Sequence, residues 1–70
     1  MNNPREIEMQ IEGVTADVVE LIMKHQGKSL LEAFNILYTS KVFMKLSKAE
    51  AGLYYQSPVY VYDCLLEELK

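Results

Sequence analysis

The strongest constraint on this chain is a run of aliphatic residues at helical spacing near its start. Ile7, Ile11, Val14, Val18, Leu21 and Ile22 recur at steps of four, three, four, three and one. That spacing gathers them into one stripe on an α-helix and scatters them over both faces of a strand. The flanking residues agree with a helix. Asn3 precedes Pro4, with Glu6 three positions beyond the cap, and this is a helix-start signal. Gly27, after Lys24, His25 and Gln26, is a stop with cationic side chains in the last turn. Two alternatives stay open inside the segment. Gly13 followed by Thr15, Ala16 and Asp17 offers a break and a fresh cap at 13–15, and residues 7–12 alternate cleanly enough to be read as a strand.

Downstream, the punctuation repeats. Ser29-Leu-Leu-Glu32 spells a capping box, opening a second helix with Leu30, Ala33, Phe34, Leu37 and Tyr38 on one face. Thr39-Ser40 can end it, because both hydroxyls compete for backbone hydrogen bonds. Ser40 can then cap a short third helix from Lys41 to Leu46, with Val42, Phe43 and Leu46 inward and Lys41, Lys45 and Lys48 outward. Ser47-Lys-Ala-Glu50 has capping-box spelling again, so further helix is expected through Ala51 toward Tyr54, weakened by Gly52.

The last segment, Ser57-Pro-Val-Tyr-Val-Tyr-Asp-Cys-Leu-Leu-Glu-Glu-Leu69, opens with strand-like alternation and closes with helical spacing. A strand would give neither face a polar side before Asp63. At about 100° per residue on a helix, Val61, Leu65, Leu69, Tyr62 and Leu66 share one sector. Ser57 as cap and Pro58 at the first helical position favour that reading. Tyr60 and Cys64, spaced i, i+4, then project to the far side as apolar surface that one core cannot cover. No repeat, linker or low-complexity tract divides the chain. The expectation is a single all-α domain spanning 1–70, a compact bundle of three to five short helices.

Seventy residues is near the size at which one core only marginally offsets chain entropy, so help from a partner is expected. Half the residues are apolar and 24% are charged, which is too hydrophobic for a disordered chain. Cys64 is the single cysteine, so no intrachain disulfide can form. No window approaches the roughly 20 apolar residues of a membrane span, and no apolar run follows Arg5. These points predict a cytoplasmic protein with neither membrane segment nor cleaved signal.

Reactive residues are few and unpromising. A nucleophilic pair of Cys64 and His25 needs hydrogen-bond contact that no spacing implies. Glu67 and Glu68 point about 100° apart on a helix, unsuited to facing-carboxylate chemistry, and are read as a solvated end. Zinc needs about four convergent ligands, and Gly13, Gly27 and Gly52 stand alone rather than in a phosphate-cradling loop. No enzymatic activity, metal or cofactor is expected.

Charge and tyrosine content point instead to contacts with other molecules. Residues 1–23 carry Arg5 against Glu6, Glu8, Glu12, Asp17 and Glu20, a net of −4; residues 24–48 net +4; residues 49–70 net −3. The pattern is either a set of solvated faces or complementary surfaces satisfied within the fold or between copies. Tyrosine suits boundaries, having an apolar ring and a hydroxyl that needs water or a partner. The five tyrosines either rim a small core or, as Tyr54, Tyr55 and Tyr60 beside the Gln56-Ser57-Pro58 corner, present an aromatic patch to another chain. The expected partner interface is Tyr54, Tyr55, Tyr60 and Cys64, in a homo-oligomer or against another protein. The alternative is a helix-turn-helix-like DNA-binding regulator using Lys41, Lys45 and Lys48 on phosphate. Nucleic acid is disfavoured, because the reading helix is brief, lacks arginine or glutamine for base edges, and offers few phosphate contacts.

The runs Ala33-Phe-Asn-Ile-Leu-Tyr-Thr-Ser-Lys41 and Gly52-Leu-Tyr-Tyr-Gln-Ser-Pro-Val-Tyr-Val-Tyr-Asp63 resemble small uncharacterised bacterial helical proteins, a domain of unknown function associated with toxin-antitoxin-type gene neighbourhoods. The resemblance covers the C-terminal half and carries over no site residues. It implies a small partner-binding, antitoxin-like protein whose role is to dock on something else.

Overall fold

A computed structural model describes residues 4–70; Asn3, read above as the first cap, lies outside them. Helix α1 runs Pro4–Gln26, α2 Leu30–Tyr38 and α3 Lys41–Leu46. Two 3₁₀ turns follow at Ala49–Ala51 and Leu53–Tyr55, and α4 runs Pro58–Glu68. The fold is all-α, with no strand among the described residues.

Both alternatives within the first segment resolve to helix. Residues 7–12 lie in α1, which passes through 13–15 without a break. The Thr15 hydroxyl donates to the Ile11 carbonyl at 2.7 Å, so it bonds the preceding turn rather than capping a new one. α1 ends where Gly27 takes a left-handed φ of 63° and its N–H donates to the Met23 carbonyl at 3.0 Å.

Each later helix starts on the serine expected of it. The Ser29 Oγ accepts from the Glu32 N–H at 3.2 Å while the Glu32 carboxylate accepts from the Ser29 N–H at 3.0 Å, a complete capping box. The Ser40 Oγ accepts from the Phe43 N–H at 3.0 Å, and the Ser57 Oγ from the Tyr60 N–H at 3.2 Å with Pro58 in the first turn. Ser47 is the exception: its hydroxyl donates backward to the Met44 carbonyl at 3.0 Å. The second capping-box spelling is therefore unused, and Gly52 at φ 71° separates two single turns of 3₁₀ helix.

α1 is the axis of the molecule. Its 23 residues extend about 34 Å at 1.5 Å each, against a longest dimension of 39 Å for the whole fold. α2, α4 and the second 3₁₀ turn pack along it. Val18 and Ile22 of α1, Leu37 of α2, Leu46 of α3, and Val61 and Leu65 of α4 are fully buried, each burial contributing about 1.5–3 kcal/mol. Leu69, expected in the core sector of the last helix, is 52% exposed instead. It is the C-cap position, where α4 has already ended. Leu30 and Tyr38, at opposite ends of α2, are also exposed, while Ala33 and Leu37 between them are buried. No helix among the described residues is long and apolar enough to cross a membrane.

Candidate interaction surface

α3 has six residues and no acidic side chain in its first turn, so little in its own sequence holds it. Its N-terminus is completed from α4. The Glu68 carboxylate accepts from the Lys41 N–H at 2.8 Å and the Val42 N–H at 2.9 Å, while Ser40 takes the next amide. Three orphan donors are thereby satisfied, and a negative charge meets the positive helix end. The reading of Glu67 and Glu68 as a solvated end is thus half right: Glu67 pairs with Lys70 at 3.2 Å, both exposed, but Glu68 fastens one helix to another.

Fixed in this way, α3 presents Lys41 and Lys45 outward, with Lys48 just past its end, all exposed. With Met44, 59% exposed, and Ala51 they line a groove of about 360 Å³. A second groove of about 340 Å³ shares Lys41 and Lys45 and reaches α4, where Val42, Leu53, Tyr60, Cys64 and Glu68 line it. Two residue sets that sequence reasoning kept apart, the lysines and the Tyr60–Cys64 pair, therefore lie on one continuous surface: an apolar trough with a cationic rim.

The expected tyrosine patch divides. Tyr60 is 51% exposed and Tyr55 62% exposed, but Tyr54 is buried. The Tyr54 ring belongs to the core and backs the Tyr55 ring, stacked on it at 4.4 Å and 30°. Cys64 is half-buried in the trough. Tyr62 is a core residue whose hydroxyl accepts from Gln26 Nε2 at 3.2 Å, with the His25 ring stacked on it at 5.8 Å. His25 and Cys64 share no hydrogen bond among the described residues, nor does any group of three or more His, Cys, Asp or Glu converge as metal ligands there.

Sequence reasoning missed a third feature, a mostly apolar groove of about 240 Å³ where Ile11, Glu12, Thr15 and Ala16 of α1 meet Phe34 and Tyr38 of α2 and Phe43 of α3. The rings form a tilted chain, Phe34 to Tyr38 at 5.1 Å and Tyr38 to Phe43 at 4.6 Å. The i, i+4 spacing of Phe34 and Tyr38 was the available signal; the arrival of Phe43 depends on how α3 turns back.

Electrostatically, the acidic and basic segments do not neutralise each other by close contact. Lys70 and Glu67 pair within 4 Å, and no ion pair among the described residues joins α1 to α3. The Glu32 carboxyl is held below its ordinary value of 4.5, through the Ser29 backbone amide first and then its hydroxyl, with Lys28 assisting. No protein-family model, curated protein or solved structure matches this chain.

Proposed function

We propose that this chain is a non-enzymatic protein–protein interaction module of the cytoplasm that self-associates through the surface built by α3 and α4. The observation that carries the reading is the trough itself. Exposed Met44 and Tyr60 lie with half-buried Cys64 beside three lysines that have no carboxylate within 4 Å among the described residues. Apolar surface rimmed by charge is the usual anatomy of a docking face, and tyrosine and methionine are enriched at such faces. A second protein in place of a second copy is the antitoxin-like form of the same reading, in keeping with the resemblance of the C-terminal half to small uncharacterised bacterial helical proteins, which implies a partner-binding role.

The alignment of Lys41, Lys45 and Lys48 also favours a second reading, a small helix-turn-helix-like DNA-binding regulator. Glu68 weighs against it. A recognition helix approaches base edges with its N-terminal residues, and here that turn is occupied by a carboxylate on the Lys41 and Val42 amides. Sedimentation of the whole chain from micromolar to millimolar concentration separates the readings. Self-association that Tyr60→Glu weakens supports the module. A wild-type monomer at every concentration, combined with heparin retention that persists at moderate salt, would favour the regulator.

A further inference from the structure

We propose that the acidic outer face of α1 from a second copy of this chain occupies the lysine-rimmed trough between α3 and α4. This deepens the self-association reading and rests on it. The argument is complementarity left unsatisfied within one copy. Of residues 5–12, all but Ile7 and Ile11 are exposed, so the start of α1 is a nearly bare helix. Glu8 and Glu12, spaced i, i+4, stand on one ridge about 5–6 Å apart, with Met9 beside them at 65% exposure. Lys41 and Lys45 repeat that spacing on the trough, with Met44 beside them. Each surface thus offers two like charges at one helical interval and an exposed methionine. They have opposite sign, and no ion pair joins them inside the fold among the described residues. The bare part of α1 is also slender at its outer face: Gly13 is exposed, and a Cβ built on it meets nothing within 4 Å. A second helix surface can therefore approach closely there. Apolar contact of Met9 with the Tyr60–Cys64 side of the trough supplies affinity, and the charges supply orientation and rate.

The test is a charge swap read by sedimentation velocity. Lys45→Glu with Lys48→Glu makes two of the three trough lysines acidic, and Lys41 is left in place because a carboxylate there would stand beside Glu68. Glu8→Lys with Glu12→Lys reverses the helix. All these side chains are exposed, and circular dichroism verifies that both doubles are folded. Each double variant alone is expected to associate at least about tenfold more weakly than wild type. An equimolar mixture is expected to recover most of the lost affinity, because the two reversed trough positions then face the two reversed helix positions, with the retained Lys41 as the one like-charged contact. Raising salt should weaken wild type and mixture alike. If wild type associates and both doubles associate equally well, this pairing is wrong and another surface mediates self-association. If wild type stays monomeric throughout, the pairing and the self-association reading fall together. If the trough double loses only heparin retention, the lysines serve a polyanion and the pairing is overturned.

Discussion

Ser29 and Glu32 show how much a three-residue spacing can fix. Both halves of the capping box form where the sequence spells it, because each donor lies within reach of a side chain three residues away and nothing distant must cooperate. Replacing Ser29 with Ala should cost about 1 kcal/mol, read as a lower denaturation midpoint with an unchanged slope. The lowered pKa of Glu32 gives that box a pH dependence. Since its folded value lies below 4.5, the stabilisation is fully present above the unfolded value and fades as pH falls through the folded one. A Glu32→Gln chain keeps an acceptor for the Ser29 amide, so its melting temperature should lose this acidic slope. Retention of the full wild-type slope would show that other carboxylates carry it. Ser47 marks the limit of the same logic: identical spelling, yet its hydroxyl turns back to Met44, since the chain after it does not continue as α-helix.

At the level of elements, α1, α2 and α4 were legible because stripe, cap and stop agree within each segment. The strand-like residues 7–12 were absorbed by the longer helical period around them. α3 was legible in position but not in cause. What completes its first turn is a carboxylate 26 and 27 residues downstream, and no local pattern marks such a pairing. Glu68→Gln removes the charge and sets an amide donor against one of the two backbone donors. For this exposed contact the loss should be about 1 kcal/mol, seen as a melting shift together with amide chemical-shift changes at Lys41 and Val42. Unchanged shifts at those two amides would mean that the contact does not form in solution.

For the whole molecule, the sequence specified the class of fold and most of the core but not the outline of its surface. Neighbours Tyr54 and Tyr55 take opposite fates, one buried and one exposed. That division depends on how two 3₁₀ turns lie against α1, which spacing does not encode. Leu69 has the right angle for the core but sits one residue past the end of its helix. The lysine trough joins residues of α3 with residues of α4, so neither half announced it. With stability for such a chain on the order of 3–10 kcal/mol, Leu65→Ala, which empties a fully buried site, should cost about 2–5 kcal/mol. That is a fall in melting temperature of at least about 10 °C by calorimetry. Tyr60→Glu, at an exposed position, should stay within about 0.5 kcal/mol of wild type, which makes it a probe of association rather than folding. The Glu68 clasp also has a consequence in time. Whenever α4 lifts from the bundle, the first turn of α3 loses two acceptors at that moment, so the lysine face exists only while the last helix is seated. Hydrogen exchange at the Lys41 and Val42 amides is therefore a clock for the departure of α4.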